Sequence, residues 1–151
     1  MSWSNRLNEL GLALPPVATP AGVYLPAVRS GSLVFTAGQV PLVDGAMVTT
    51  GKLGAEIDIE RGRQLARICV FNALAAVDGL VGLDAVVRVV KVVGFVASAP
   101  GFTAQPAVLN GASDLLGEVF GAAGAHARSA VGVAELPLGA PVEVELVVEV
   151  S

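Results

Sequence analysis

Residues 127–150 read ARSAVGVAELPLGAPVEVELVVEV, and they predict two consecutive strands of one sheet. From Val142 to Val150, apolar residues alternate with glutamates over most of the run, which is the period-two pattern of a strand with one buried face. The preceding strand is expected over residues 125–135, and the LPLG sequence at 136–139 supplies the connection.

Upstream of this stretch, the pattern predicts one more strand, two helices and a hairpin. The valine-rich run 86–97 is expected to be a strand buried on both faces, because β-branched residues dominate it and apolar residues occupy both parities. Apolar residues recur at spacings of three and four from about residue 55 to 80 and again over 106–120, which predicts two helices, and glycines end both. Runs 23–29 and 33–37, separated by SGS at 30–32, predict a hairpin, and 40–54 is expected to be a loop with a turn at Asp44-Gly45.

The resulting order, β-β-α-β-α-β-β, predicts an α+β domain over residues 21–151. Its simplest arrangement is a single sheet with both helices on one face, which leaves the other face open. Residues 1–20 are interpreted as a lead-in, in which Trp3, Leu7 and Leu10 share one face of a short helix with Ser4 as the expected N-cap. Prolines then impose extended chain.

The composition predicts a folded protein that associates with itself. Hydrophobic residues make up 54% of the 151 residues and charged residues 15%, against about 25% charged residues in typical soluble domains. Such a chain has ample apolar surface to fold, which excludes disorder. A domain of this size cannot bury all of that surface alone, so we expect an oligomer that covers the open sheet face.

Charge and residue types exclude several classes of partner. The net charge is −4, and nine lysines and arginines spread along the chain form no basic stripe, so no nucleic-acid partner is expected. Arg88 and Lys91 interrupt the most apolar run, which is too short to span a bilayer, so no membrane partner is expected either. One cysteine excludes an internal disulfide, and the N-terminus lacks the pattern of a signal peptide, so a cytoplasmic location is expected. A single histidine, His126, gives little basis for a metal site.

Arg128 is the most informative candidate residue, because it lies between small and apolar neighbours in the middle of a predicted strand. Burying a guanidinium without a partner is costly. It therefore either forms a structural ion pair with Glu143 or Glu145 on the next strand, or it binds an anionic ligand, and its planar fork suits a carboxylate.

Several of the other candidates keep two interpretations. Glu143 and Glu145 are either a solvated face or contribute one carboxylate to a pocket, where it would orient a water. Gly38, after a strand, either allows a ligand to approach the backbone or forms an ordinary bulge. Tyr24, at the start of the first predicted strand, is more typical of the edge of a core than of catalysis. Asn110 is interpreted as exposed on the second helix, and Cys69 as an inert core residue.

Three strings taken together resemble the RidA/YjgF family: TAGQVP at 36–41, ARSAVGV at 127–133 leading into LP at 136–137, and VEVE at 142–145. The second and third in this order are specific, whereas GQVP alone is a weak signal. The order of elements also matches from about Tyr24 to the C-terminus. The chain is similar to the longer branch of that family, which carries an N-terminal extension.

The resemblance implies a chorismate-mutase-like α+β fold and a homotrimer with clefts between subunits. It also implies hydrolysis of reactive 2-imino or enamine acids to 2-keto acids and ammonia, without metal or cofactor. By position, Arg128 would bind the substrate carboxylate and Glu143 would hold the attacking water. The further cleft residues that the resemblance implies are Tyr24 from a neighbouring subunit, the backbone of Gly38 and Ala130, and Asn110.

Two residues depart from the family pattern. Ala130 stands where the family often has cysteine, which excludes a thiol role and keeps a backbone role. His126 stands where proline is common.

A non-catalytic trimer that binds small carboxylates is the main competing function. Two others are disfavoured: a chorismate-mutase-type reaction, for lack of further pocket cations, and the ribonuclease activity described for some relatives, because the chain is acidic.

Overall fold

The computed structural model describes residues 2–151, and its main feature is a five-stranded mixed sheet covered on one face by two long helices. The helices of this part of the chain are α1 (Trp3–Glu9), α2 (Ile59–Val81) and α3 (Gln105–Phe120). Its strands are β1 (Ala27–Ser30), β2 (Leu33–Thr36), β3 (Leu42–Val43), β4 (Ala46–Met47), β5 (Val86–Ala97), β6 (Ala127–Val133) and β7 (Val142–Val150). Short 3₁₀ turns occupy Leu83–Ala85, Gly121–Gly124 and Pro137–Gly139.

The strand order in the main sheet is β1-β2-β7-β5-β6. The β1–β2, β2–β7 and β7–β5 pairs are antiparallel, whereas β5 and β6 run parallel because α3 returns the chain to the same end of the sheet. The α+β class, the one main sheet and the position of both long helices on one face are as the sequence predicted. The strands β3 and β4 form a separate small hairpin.

The core lies between the sheet and the helices. On β7 the residues from Val142 to Val150 alternate strictly between buried and half-buried, and the buried set faces α2. Buried residues of α2 and α3 complete this layer, among them Leu65, Leu74 and Leu115. The helices approach closely because Gly111 of α3 has only a hydrogen where a Cβ would collide with the backbone of Arg63 in α2.

The opposite face of the sheet is open within the single chain. Val28, Phe35, Val87 and Val131 lie on it, and each is more than two-fifths exposed. The run 86–97 is a strand as predicted, but only one of its faces is buried in this chain. The second face of β5 belongs to this open surface.

The boundaries of several predicted elements are wrong for identifiable reasons. The first strand begins at Ala27 rather than residue 23, since Pro26 precedes it. Helix α2 begins at Ile59 rather than near residue 55, because the Asp58 side chain accepts the N–H of Arg61 as the N-cap. The N-cap of α1 is Ser2 rather than Ser4.

The loop predicted over 40–54 contains the β3–β4 hairpin. Its two-residue turn is formed by Asp44 and Gly45, both at positive φ, which is the geometry that favours an Asp-Gly pair. The predicted strand 125–135 is shorter, Ala127–Val133.

The N-terminal segment packs into the same core. Leu7 is buried, the Trp3 Nε1–H donates to the Val86 carbonyl at 2.7 Å, and the Trp3 ring meets Phe120 edge-on. Helix α1 therefore closes the end of the layer beside α3.

Helix α2 is the one segment among the described residues that is long and apolar enough to cross a membrane. More than half of its most apolar window is buried inside the protein. Core helices of this length pass the same test of length and hydropathy.

Candidate functional site

Arg128 lies near the start of β6, the edge strand of the sheet, and its side chain points toward the helix layer. Its register partner on β5 is Val92, a core residue, which fixes this direction. The Arg128 Nη1 donates to Asn110 Oδ1 at 2.9 Å and to Ser113 Oγ at 3.0 Å, and Nη2 donates to the Pro106 carbonyl at 3.4 Å. All three acceptors belong to α3 and are uncharged.

No carboxylate of residues 2–151 lies within salt-bridge distance of Arg128. Of its five N–H groups, the Nε–H and one Nη2–H have no acceptor in this part of the chain. Two donors on a half-buried cation are thus left free. This is the geometry of a group that can bind an anion.

The expectation of a structural ion pair between Arg128 and Glu143 or Glu145 is wrong. Glu143 is the partner of Phe95 in the β5–β7 ladder and Glu145 that of Val93, so both carboxylates lie on the open face. Strand β5 separates β7 from β6, a distance of about 10 Å across the sheet. Arg128 is also half-buried at an edge rather than buried in mid-strand.

Glu143 lies against an irregular segment at the end of β2. The Thr36 hydroxyl accepts the N–H of Leu146 at 2.9 Å. The chain pairs with β7 again only at an isolated bridge, where Gln39 exchanges both backbone hydrogen bonds with Val144. Gly38 lies in this interruption, where a Cβ would collide with Glu143 Oε1. Gly38 is therefore a bulge residue that allows the Glu143 carboxylate to approach the backbone.

Burial raises the pKa of the Glu143 carboxyl above its ordinary value, and the nearby charge of Glu145 raises it further. A carboxylate with a raised pKa is a stronger base than a solvated glutamate. The environment of Glu143 therefore favours a role in proton transfer.

A second polar cluster adjoins Arg128. Ser113 Oγ lies 2.9 Å from His126 Nε2, and His126 Nδ1 lies 2.6 Å from the Gly124 carbonyl. Ser113 escaped the sequence analysis because a serine within a helix carries no motif. Its spacing of three residues from Asn110, which places both side chains on one face of α3, is the signal that could have found it.

The other residues that the sequence singled out are Ala130, Tyr24 and Cys69. Ala130 follows Arg128 on the same face of β6 and packs against the core. Tyr24 precedes β1 rather than starting it, and its hydroxyl accepts the N–H of Ala21. Cys69 is buried, and this burial raises the pKa of its thiol well above the usual range, as suits an inert core residue.

A cavity of about 610 Å³ lies elsewhere, between the segment 13–19, helix α2 and the β3–β4 hairpin. Neither Arg128 nor Glu143 lines it. Its walls are mostly apolar, and it is distinct from the surroundings of Arg128 and of Glu143.

Comparison with known proteins agrees with this architecture. The family model described as "YjgF/chorismate mutase-like, putative endoribonuclease" matches residues 4–150. The chain belongs to this family. The sequence resemblance to RidA/YjgF proteins is thereby confirmed, and the match extends through most of the N-terminal extension.

Relatives of this YjgF-family chain share most of its length. Protein TCP17 of Trypanosoma cruzi is 46% identical over 148 residues, which are 97% of this chain and 92% of that protein. The crystal structure of a putative endoribonuclease from Shewanella oneidensis is 33% identical, has a TM-score of 0.95, and covers 99% of this chain and 100% of its own. The Escherichia coli TdcF structure with bound serine is 25% identical, with a TM-score of 0.65 over 89% of this chain and 94% of its own.

Within the YjgF family fold, the chemistry-bearing side chains of this chain form two groups. Arg128, Asn110, Ser113 and His126 lie at the β6–α3 edge, whereas Glu143 and Gly38 lie on the open face. Residues 2–151 hold no cluster of three His, Cys, Asp or Glu side chains placed to bind a metal ion.

Proposed function

We propose that this protein hydrolyses reactive 2-imino or enamine acids to 2-keto acids and ammonia, using a cleft between the subunits of a cytoplasmic homotrimer and no metal or cofactor. The observation that carries the proposal is the free guanidinium edge of Arg128. A half-buried arginine held only by neutral acceptors, with two N–H groups unused, suits a small organic carboxylate.

The positions of Arg128 and Glu143 support a site that two copies complete. Within one chain the sheet separates these groups, so one small substrate cannot touch both. The open face, which carries Glu143 and Gly38, is also the apolar surface that an oligomer would cover. We therefore place Arg128 and Asn110 of one subunit opposite Glu143 and Gly38 of the next.

The proposed reaction asks little of the protein beyond positioning. Arg128 binds the carboxylate of the substrate, which fixes the imine carbon near Glu143. The Glu143 carboxylate orients a water and accepts its proton as the oxygen–carbon bond forms. The same carboxyl then returns the proton to nitrogen, which gives an amino alcohol. It next transfers the hydroxyl hydrogen of that intermediate to nitrogen, so that the carbonyl forms, the carbon–nitrogen bond breaks and ammonia leaves. An enamine substrate first tautomerises to the imine.

Tyr24 and the backbone of Ala130 are also part of the proposed substrate-binding cleft. Ala130 is two residues beyond Arg128 on the same edge strand, so its backbone lies beside the carboxylate-binding group. Tyr24 is half-exposed, and a neighbouring subunit would bring it to the cleft.

The test is an ammonia-release assay with 2-iminobutanoate or 2-aminoacrylate generated in situ by an amino-acid-eliminating enzyme. Addition of the protein should accelerate the release of ammonia and keto acid several-fold over the spontaneous rate. Arg128→Ala and Glu143→Gln should each lose at least about 100-fold in kcat/KM, since one removes the carboxylate-binding group and the other the base.

Arg61→Ala is the matched control, because Arg61 is an arginine of similar burial at the start of α2, outside the proposed site. It should retain full activity. Equal rates with and without the wild-type protein, across several imino acids, would reject the proposed reaction.

A non-catalytic trimer that binds small carboxylates is the competing function. The bound serine of TdcF, an amino acid with a carboxylate, is compatible with both functions. The two differ at Glu143, because only hydrolysis needs its carboxylate. Carboxylate binding that Glu143→Gln leaves intact, in a protein without turnover, would establish the binding function instead.

A further inference from the structure

The orientation of every hydrogen in the cluster beside Arg128 can be worked out from its neighbours. The Gly124 carbonyl can only accept, so His126 Nδ1, at 2.6 Å from it, carries the hydrogen in the neutral ring. His126 Nε2 is then an acceptor. Ser113, at 2.9 Å, must donate its hydroxyl hydrogen to Nε2.

Arg128 completes this chain of hydrogen bonds. Its Nη1 donates to the Ser113 oxygen at 3.0 Å and to Asn110 Oδ1 at 2.9 Å. The direction of donation therefore runs from Arg128 to Ser113 and from Ser113 to His126. Ser113 therefore accepts a hydrogen bond from the Arg128 guanidinium and donates its own hydrogen to the His126 ring.

We propose that Ser113 and His126 form a positioning pair that makes the affinity of Arg128 for organic anions rise as pH falls. The inference deepens the proposed function, since it concerns the same carboxylate-binding group. It does not depend on whether the bound carboxylate is then turned over.

Protonation of His126 reverses one hydrogen bond. With hydrogens on both ring nitrogens, Nε2 donates to Ser113 Oγ, which still accepts from Arg128 Nη1. The Ser113 hydroxyl hydrogen is displaced from the ring and becomes a free donor on the oxygen that accepts from Arg128 Nη1. A third donor and a second positive charge both favour a bound carboxylate.

The charged groups near His126 are mainly cations, whose charge a bound carboxylate offsets. The Arg88 Nη2 donates to the carbonyl of Ala125, beside His126, and Lys91 is the register partner of Ala127 on β5. Asp114, next to Ser113 on α3, is engaged by Arg63 at 2.9 Å. No carboxylate of residues 2–151 is within salt-bridge distance of His126 or Arg128.

The experiment is calorimetric titration of the full chain with 2-oxobutanoate, whose carboxylate stays ionised from about pH 8 to about pH 5, the range in which histidines gain a proton. All variants are made in a Glu143→Gln background, because protonation of Glu143 would otherwise also favour an anion at low pH. In this background the association constant should rise about fivefold between the two pH values. The added change His126→Gln should abolish the rise.

Ser113 provides the second readout. At about pH 8, Ser113→Ala should weaken binding several-fold, because Arg128 loses one of its anchors, and Ser113→Thr should restore both the affinity and its pH dependence. Turnover is measured separately, with Glu143 present, and there Ser113→Ala should raise KM and leave kcat nearly unchanged. These comparisons separate positioning from a loss of folding, which would lower both parameters and would not respond to pH.

Two results would overturn the inference. The first is an association constant that depends on pH in the same way with His126 and with His126→Gln. The second is no binding of 2-oxobutanoate at either pH. By contrast, a pH-dependent affinity without imine hydrolysis would reject the proposed reaction and leave the positioning pair intact.

Discussion

Glu143 and Arg128 obtain their properties from different surroundings. The Glu143 carboxylate is half-buried on the open face beside a second glutamate, which disfavours its ionised form. Arg128 is held by uncharged oxygens of α3, which satisfy part of the guanidinium without neutralising it. Glu143 therefore remains a basic carboxylate on the open face, and Arg128 keeps free N–H donors at the edge of the sheet.

The charge of Glu145 gives a prediction at the scale of residues. If ionised Glu143 is the base, kcat/KM falls as pH drops through its raised pKa. Glu145→Gln removes the like charge, which lowers the pKa of Glu143, so the acid limb of the pH–rate profile should move to lower pH. The shift should be partial, because burial, the larger cause, remains.

Glu149→Gln is the control for this comparison. It removes the same charge from the same face of β7, about 20 Å farther along the strand from Glu143. The pH–rate profile of Glu149→Gln should coincide with that of the wild type. If Glu145→Gln leaves the acid limb of kcat/KM unchanged, a group other than Glu143 governs that limb.

At the scale of elements, α3 determines where Arg128 points. The helix supplies all three acceptors of the guanidinium. Its own position depends on close contact with α2, which the missing side chain of Gly111 allows. Ion pairs between the helices, Arg63 with Asp114 and Arg67 with Glu118, run along the outer side of this contact.

Gly111→Ala should therefore disturb both stability and ligand binding. A Cβ at this position meets the backbone of Arg63, which cannot move as a side chain can. We expect a loss of about 1–3 kcal/mol in the free energy of unfolding, as for other overpacked cores, together with weaker carboxylate binding as α3 shifts. Chemical denaturation and calorimetry measure the two effects.

Gly117→Ala is the matched control on the same helix. Gly117 is exposed, and a Cβ there meets nothing within 4 Å. This substitution should stabilise the protein by roughly 0.5–1 kcal/mol, because alanine is the better helix former. A Gly111→Ala variant as stable as Gly117→Ala would contradict the assigned role of the helix contact.

At the scale of the whole molecule, the open sheet face combines exposed apolar residues with one half of the proposed site. Val28, Phe35, Val87 and Val131 remain exposed in the single chain, in a protein that is 54% hydrophobic. Apolar surface of this kind, next to a carboxylate that lacks its proposed partner within the chain, fits association through this face.

Phe35→Glu should therefore dissociate the oligomer, because the new charge would be buried without a partner at the interface. Light scattering should show a trimeric mass for the wild type and a monomeric mass for the variant. The monomer should lose imine hydrolysis, although Arg128 and Glu143 are unchanged.

Leu138→Glu serves as the control, since Leu138 is the more exposed residue and lies in a 3₁₀ turn outside the sheet. It should keep both the assembly and the activity. An active monomeric Phe35→Glu variant would refute a site shared between subunits.

The sequence by itself determined the types of the long elements, the fold class and the family. These follow from local patterns: β-branched density made residues 86–97 a strand, alternation made Val142 to Val150 another, and the helix stripes recur every three to four residues. The errors in the predicted start of β1 and α2 arose where single residues decide a boundary, Pro26 before the first strand and the Asp58 cap before the helix.

Only the tertiary structure decided which candidate residues meet. Strand order places β5 between β6 and β7 and sends Arg128 and Glu143 to opposite faces, although they are close in sequence and lie on consecutive strands. The contact of Arg128 with Asn110 and Ser113, and of Ser113 with His126, likewise depends on how α3 packs across β6. Side-chain direction on a strand is set by register and neighbours, which are long-range properties, and no local pattern encodes them.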